Sequence, residues 1–146
     1  MNKVESAVFS FNNGFNCCQS VLLAYCQEFS LDSQVALKLS TGFGGGMGRM
    51  AGVCGAVTGA FMVLGLKYGR VKAEDNESRE KTYMLVKEFA GKFKARNDSI
   101  ICKDILECDI STRQGLRIAR EKALFSKVCP KFVQDAAEIL EEMLRD

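Results

Sequence analysis

The sequence contains no histidine and no tryptophan, and it has one proline among 146 residues. Without histidine, Ser-His-Asp and Cys-His catalysis are excluded, as are zinc and haem sites that use a histidine ligand. The single Pro130 and the lack of alternating β-branched runs predict helices almost throughout. We therefore expect an all-α protein whose chemistry is carried by other side chains.

The sequence also carries little net charge. It has 20 Lys and Arg residues against 18 Asp and Glu residues, a formal charge of +2. This balance gives no electrostatic case for binding nucleic acid or an anionic membrane. The first ten residues have no apolar core of the kind found in a secretory signal, and the uncharged run Met50–Leu66 is at the short limit for a membrane span. We expect a cytoplasmic protein with neither a nucleic-acid partner nor a membrane span.

Hydrophobic periodicity predicts a compact bundle in which residues 1–146 form a single helical domain. A glycine-rich loop, Thr41–Gly52, is expected to precede an uncharged helix buried at the centre of the bundle. The predicted helices with defined ranges are Val4–Asn12, Val53–Tyr68, Glu74–Arg96, Ile100–Leu106 and Ser111–Ser126. Asn16 is expected to cap the second helix, and Ser33 the third, in which Val35, Ala36 and Leu39 face inward. Asp98 or Ser99 is expected to cap Ile100–Leu106, and Pro130 is expected at the first position of the last helix.

Seven cysteines are the most unusual feature of the composition. A reducing cytoplasm and an odd number of cysteines argue against a full disulfide framework, which leaves packing, metal binding or redox chemistry. Four of them fall at the N-termini of separate predicted helices, where free N–H groups and the helix dipole stabilise a thiolate. The sequence therefore predicts that four thiolates meet at one site, formed by Cys17, Cys54, Cys102 and Cys129.

Core packing is the alternative interpretation of each cysteine, because cysteine is among the most buried residue types. It is the better interpretation of Cys18 and Cys26, which share helical faces with Val21 and Tyr25. The role of Cys108 is left open. No C-x-x-C pair occurs, which argues against a zinc knuckle, although four separate helices can still supply a metal site made of four cysteine ligands.

The glycine-rich loop is a second candidate element. A phosphate-binding loop would need G-x-x-x-x-G-K-[ST], or a G-x-G-x-x-A run preceded by a strand, and neither requirement is met. We expect instead that its glycines let the backbone approach the sulfur atoms and contact a cofactor there. The residues expected to bind this cofactor are Gly44, Gly45, Gly46 and Gly55.

Several segments together resemble the C_GCAxxG_C_C family of redox-active proteins. They are FNCCQSVLLAY, STGFGGGMGRMAGVCGAVTGAFMVLGLKYGR, CKDILECD and CPKFVQDAAEIL. The resemblance extends over nearly the whole chain, with the elements in the same order. It implies that the four characteristic cysteines of the family are Cys17, Cys54, Cys102 and Cys129.

Three functions are compatible with the sequence. The first is electron transfer through an iron–sulfur cluster, preferably [2Fe–2S], held by the four cysteine thiolates. The second is cofactor-free thiol–disulfide exchange, and the third is a non-catalytic zinc site with four cysteine ligands. The sequence does not identify the redox partner, does not show whether the chain is an enzyme, and leaves a homo-oligomer open.

Overall fold

Helices account for the regular structure of residues 1–145, which are the residues described by the computed structural model. Within this range there is no strand, only an isolated antiparallel bridge between Val53 and Ile101. The all-α prediction is confirmed. The helical segments are α1 (Lys3–Asn12), α2 (Cys17–Cys26), α3 (Ser33–Thr41), α4 (Gly44–Met47), α5 (Gly55–Tyr68), α6 (Asn76–Asn97), α7 (Cys102–Leu106), α8 (Arg113–Glu121), α9 (Leu124–Lys127) and α10 (Cys129–Met143).

Helix α5, whose one charged residue is Lys67 in its last turn, lies at the centre of the bundle, as its composition predicts. Five of its side chains have no solvent exposure, and they are Ala56, Val57, Ala60, Val63 and Leu64. At 14 residues it is too short to cross a bilayer, and no other helix within residues 1–145 is long and apolar enough to do so. The burial of α5 is therefore explained by packing against its neighbours.

Small residues allow α2 to approach α5 closely. A Cβ atom placed on Gly59 would lie 2.9 Å from the carbonyl oxygen of Cys18 and 3.2 Å from Cβ of Val21. Both distances are shorter than an ordinary van der Waals contact, so the glycine is required for this spacing of the two helices. The facing side of α2 is also fully buried, with Val21, Leu22 and Tyr25 at zero exposure.

Helices α6 and α10 close the other side of the core through aromatic contacts. Phe89 and Phe93 of α6 are completely buried, and their ring centroids lie 6.2 Å apart. Phe89 also meets Phe61 of α5 edge-on at 6.0 Å, while Phe93 lies 6.4 Å from Phe132 of α10. Such aromatic pairs add to the free energy of burial, so α6 and α10 are fixed relative to α5.

The start of α2 is defined by a capping box, as the sequence predicts for Asn16. The Asn16 side chain accepts a hydrogen bond from the Gln19 amide at 2.9 Å, and the Gln19 side chain accepts one from the Asn16 amide at 3.0 Å. The Asn16 side-chain amide also donates to the Thr41 carbonyl at the end of α3. These bonds satisfy free N–H groups and place Cys17 at the first helical position.

Four details of the predicted helices are wrong. Asp32, not Ser33, caps α3, because its carboxylate accepts a hydrogen bond from the Val35 amide at 3.0 Å. The segment Ser111–Ser126 forms two helices, because Ala123 adopts a left-handed conformation (φ 53°) that lets Phe125 reach the interior between α8 and α10. Val35 and Leu39 are 51% and 53% exposed, since α3 contacts the core through its small residues Ala36 and Ser40.

The cap expected before α7 also differs. Asp98 ends α6 in a left-handed conformation (φ 70°), and Ile101 occupies the cap position of α7. The Ser99 hydroxyl instead accepts a hydrogen bond from the Ile101 amide and donates one to Asp104. A serine two residues earlier therefore orders the turn, and α7 begins at Cys102.

We predict that Gly59→Ala lowers the free energy of unfolding by about 1–3 kcal/mol, because the added methyl group overpacks the contact between α2 and α5. Gly65→Ala, further along the same helix, is the matched control. Nothing lies within 4 Å of a Cβ at Gly65, so this change should raise stability by about 0.4–1 kcal/mol. Urea denaturation measures both values, and equal effects would contradict the proposed helix contact.

Candidate functional site

The four predicted site cysteines all lie at the start of a helix. Cys17, Cys102 and Cys129 are the first residues of α2, α7 and α10, and Cys54 is the N-cap of α5. Cys54 therefore comes slightly earlier, and Cys129 one residue later, than the sequence suggests, because α5 begins at Gly55 and Pro130 follows the first residue of α10. At Cys54 the sulfur interacts with the N–H groups of Ala56 and Val57. The Cys102 amide instead donates to the Gly52 carbonyl, and the residue after Cys129 is a proline, which has no N–H.

These four cysteines line a single cavity of about 410 Å³. Tertiary packing thus brings together residues that are far apart in sequence. The polar and charged side chains around it are Asn16, Thr41 and Arg49. Its apolar wall consists of Phe11, Ile105, Leu106, Phe125 and Phe132. Backbone lines the remainder, through Gly44, Gly45, Gly46, Gly48 and Gly55, so the four glycines predicted to contact a cofactor all lie at the cavity.

A short antiparallel contact holds Cys54 beside Cys102. The Cys54 amide donates to the Ile100 carbonyl at 2.8 Å, and the Cys102 amide donates to the Gly52 carbonyl at 2.6 Å. These bonds flank the Val53–Ile101 bridge. These backbone hydrogen bonds fix the spacing between the N-termini of α5 and α7 independently of any side-chain contact.

Two glycines bring backbone against the cysteine side chains. A Cβ on Gly46 would lie 2.8 Å from Cβ of Cys102, and one on Gly55 would lie 3.2 Å from Cβ of Cys17. The expectation that glycines admit close backbone approach is therefore met at Cys102 and Cys17. Any larger residue at Gly46 or Gly55 would push a cysteine toward the centre of the cavity or away from it.

The loop that carries these glycines has an unusual backbone. Residues 45–49 all adopt left-handed angles, with φ between 62° and 67°. Met47 and Arg49 are in this region although neither is glycine, which costs each about 1–2 kcal/mol. The amides of Arg49 and Ala51 donate to the carbonyls of Gly44 and Gly45, both at 3.1 Å. Such strain is typical of functional sites, where surrounding structure enforces it.

The ionisation of Cys17 and that of Cys54 depend on each other. Hydrogen bonding of Cys17 with Cys129 and Cys54, reinforced by burial, raises the pKa of the Cys17 thiol well above its usual value. The Cys17 thiol conversely lowers the pKa of Cys54, and the N–H groups of Ala56 and Val57 lower it further against the opposing effect of burial. Among the described residues, Cys54 is consequently the cysteine with the clearest tendency to be a thiolate.

Cys102 is less acidic. Burial, followed by the neighbouring charges of Cys54 and Cys129, raises its pKa to about 12. As a thiol, Cys102 is therefore neutral near pH 7, and binding a cation there would require its deprotonation.

The other three cysteines do not line the cavity. Cys18 is completely buried, with its sulfur 3.9 Å from that of Met62, and burial raises its pKa to about 11. The thiols of Cys26 and Cys108 donate to the carbonyls of Leu23 and Gly115 at 3.2 Å and 3.1 Å. These contacts agree with a packing role for Cys18 and Cys26. All seven cysteines are free thiols.

Sequence reasoning did not identify the non-cysteine side chains around the cavity. Phe125 and Phe132 lie four residues before and three residues after Cys129, a helical spacing that offered a signal for Phe132. Phe125 gave no such signal, because it depends on the left-handed turn at Ala123. Arg49 lines the cavity and is exposed, and it is the only charged side chain in that lining among residues 1–145.

No group of three or more His, Cys, Asp or Glu residues within residues 1–145 is arranged so that it could hold a metal ion. The ligand role predicted for the four cysteines stays a prediction.

The fold and the cavity define an all-α protein in which four helix N-termini present cysteines to a common space. The model of the C_GCAxxG_C_C family, described as "putative redox-active protein", matches residues 15–143, and the chain belongs to this family. The resemblance of the sequence to the family is thereby confirmed, and the family description supports redox activity. No curated protein and no solved structure matches the chain.

We predict that the metal-free protein holds a thiolate at Cys54 below the pH at which an ordinary cysteine ionises. The lowered pKa of Cys54 means that its charge persists as pH falls, while Cys102 stays protonated to about pH 12. Titration of the ultraviolet thiolate absorbance measures this. Cys54→Ser should remove the component that ionises first, and Cys102→Ser should leave it; persistence of that component in Cys54→Ser would contradict the assignment.

Proposed function

We propose that this protein transfers electrons through a [2Fe–2S] cluster bound by Cys17, Cys54, Cys102 and Cys129. The observation that carries the proposal is that these four cysteines, each starting a different helix, line one cavity. Four thiolates are the usual ligands of such a cluster. When bound, the cluster supplies a centre that accepts and releases one electron.

The character of the cavity suits an anionic group. Four helix N-termini direct partial positive charge toward it, with the contribution of α7 limited by its length of five residues. Cys54 and Cys129 are 4% and 7% exposed, and the adjoining wall is apolar. Burial of this kind excludes water from a cluster, and backbone at Gly46 and Gly55 can approach its sulfur atoms because no Cβ intervenes.

Whether the four cysteines suit a metal site depends on how many metal ions share them. A single zinc ion requires four donors around one point, and no group of three or more such donors is found within residues 1–145. A [2Fe–2S] cluster instead takes two thiolates on each of two irons. Two cysteine pairs are therefore sufficient. Backbone pairing holds Cys54 beside Cys102, and Cys17 and Cys129 line the same cavity.

The protonation of the thiols determines when the site can be loaded. The raised pKa values of Cys17 and Cys102 mean that both lose a proton on binding a metal. Loading should consequently release protons and become weaker as pH falls. Cys54 loses its proton most readily, because its pKa is already lowered by Cys17 and by the N–H groups at the start of α5.

Cofactor-free thiol–disulfide exchange is the second candidate, favoured specifically by the presence of Cys17 and Cys54 in one cavity and by the lowered pKa of Cys54. In this reaction the Cys54 thiolate attacks one sulfur of a disulfide substrate, forms a mixed disulfide and releases the other sulfur as a thiolate. Cys17 then loses its proton and attacks the Cys54 sulfur, which releases the second thiol. The substrate gains two electrons and two protons, and a Cys17–Cys54 disulfide remains.

We predict that anaerobic purification yields protein with about two irons and about two sulfides per chain. Serine at position 17, 54, 102 or 129 should each lower iron affinity by more than the roughly 10- to 100-fold effect of losing an outer-shell partner. Colorimetric iron and sulfide assays measure this, with the visible absorption spectrum as a second readout.

Cys26→Ala and Cys108→Ala are the matched controls, because neither cysteine lines the cavity. Both variants should keep full iron and sulfide content. Circular dichroism must show that every serine variant remains helical, so that loss of metal is not a consequence of unfolding. Iron-free wild-type protein after anaerobic purification and reconstitution would overturn the cluster proposal.

The exchange reaction predicts a different result with the metal-free protein. Treatment with glutathione disulfide should consume two thiols and join Cys17 to Cys54, as measured by thiol titration and peptide mass spectrometry. Cys17→Ser should trap glutathione on Cys54, Cys54→Ser should trap none, and Cys102→Ser should behave as wild type. If all seven thiols stay titratable after this treatment, the second candidate is wrong.

A further inference from the structure

The charge of the chain is distributed unevenly, although its net value is small. Residues 111–131 contain six basic residues and only one acidic residue, Glu121, so this segment carries +5. Because the whole chain carries +2, the remaining residues together carry −3. One short segment therefore concentrates the positive charge of the molecule, and its location decides what that charge can do.

Five of these basic side chains are exposed on α8, on α9 and in the turn between them, and we call them the α8–α9 basic surface. They are Arg113, Arg117, Arg120, Lys122 and Lys127. The three arginines are spaced i, i+4 and i+7, which places them on one side of α8. The opposite side of α8 packs inward through Gly115 and Ala119, both buried.

These charges are largely uncompensated. Within residues 1–145, the ion pairs include only one member of the α8–α9 basic surface, Arg117, which lies 4.0 Å from Glu121. Both side chains of that pair are more than two-thirds exposed, so the interaction contributes little. Lys131, by contrast, is paired with buried Asp135 at 2.6 Å and belongs to the packing of α10.

The α8–α9 basic surface adjoins the cysteine cavity. Helix α9, which carries Lys127, supplies Phe125 to the cavity wall, and Cys129 follows two residues after Lys127. Arg49 adds a further positive charge in the cavity lining itself, which contains no acidic side chain among residues 1–145. The acidic residues Asp104, Glu107 and Asp109 are exposed in and just after α7.

We infer that the α8–α9 basic surface docks an acidic electron-transfer protein beside the cysteine cavity. This inference rests on the proposed function, since it names the partner of that redox site. Electron-transfer encounters bury little area, below about 1,200 Å² in total, and complementary charge speeds and orients them. A localised basic surface beside a redox centre has the properties such an encounter needs.

A polyanion such as nucleic acid fits less well. Nucleic-acid-binding domains typically have an isoelectric point above about 9 and extend their positive charge along a face. Here the isoelectric point is about 8.1, and the residues outside 111–131 carry −3. A long polyanion would meet that negative charge, whereas a compact acidic protein contacts the basic surface alone.

The test uses reduced plant-type ferredoxin, a small acidic one-electron donor, as the probe. We compare the wild type with the triple variant Arg113→Gln, Arg117→Gln and Arg120→Gln. The control triple, Lys72→Gln, Lys87→Gln and Lys94→Gln, removes the same charge from exposed positions outside the basic surface. Binding is measured by calorimetry, and electron transfer by stopped-flow absorbance, in which ferredoxin loses one electron and the site gains one.

The arginine triple variant should weaken binding and slow second-order electron transfer roughly tenfold, while the control triple changes neither. Wild-type binding should also weaken as ionic strength rises from about 0.01 M to about 1 M, where the Debye length falls from about 30 Å to about 3 Å. Equal effects of the two triples, or no salt-dependent binding, would overturn the inference.

Two further measurements separate this inference from the proposed function. Iron content and reduction by dithionite should be unchanged in the arginine triple, because those residues do not line the cavity. Iron-free protein that still binds ferredoxin through the arginines would overturn the cluster but support the docking surface. Tighter arginine-dependent binding to duplex DNA or to phosphatidylserine vesicles than to ferredoxin would identify the surface as a polyanion site and overturn the inference.

Discussion

The contact between α2 and α5 is the constraint on which the site depends. Gly55 and Gly59 lie one turn apart on α5, and both face the first turn of α2 around Cys17 and Cys18. Because neither position has room for a Cβ, the backbone of α5 is in close contact with α2 there, and the N-termini of both helices lie at the same cavity. A larger residue at Gly55 or Gly59 would separate the helices and the two cysteines together. The same contact between α2 and α5 therefore determines both the packing of the core and the geometry of the site.

Electrostatics impose the second constraint. A buried cavity disfavours charge, and the pKa of Cys102 rises to about 12 for this reason. Helix N-termini work in the opposite direction, and at Cys54 the N–H groups of Ala56 and Val57 together with the Cys17 thiol outweigh burial. The cavity therefore combines one acidic thiol with more basic neighbours. That combination suits a metal cluster, because the metal cations balance the negative charge of the thiolates once the more basic thiols have lost their protons. It also suits thiol–disulfide exchange, which needs one nucleophilic thiolate and one resolving thiol.

The glycine-rich loop connects packing to chemistry. Its left-handed residues 45–49 place Gly46 against Cys102 and bring Arg49 to the cavity. The left-handed conformations at Met47 and Arg49 accompany hydrogen bonds within the loop, from the Arg49 and Ala51 amides to the Gly44 and Gly45 carbonyls. In this region, backbone and not side chains surrounds the sulfur atoms. The positive charge of the molecule is concentrated on the neighbouring α8–α9 basic surface. Family membership and these features agree on a redox protein.

The sequence by itself determined the all-α fold, the buried position of α5, the cap at Asn16 and the helix-start positions of the four cysteines. Local patterns carry this information, since capping residues, helical periodicity and the CGAVTG motif act over a few residues. It did not determine the break at Ala123, the exposure of Val35 and Leu39, or the aromatic wall that includes Phe125. These features, and the shape and lining of the cavity at which the four cysteines meet as predicted, follow from tertiary packing. They depend on how helices far apart in sequence pack, and no local pattern encodes that arrangement.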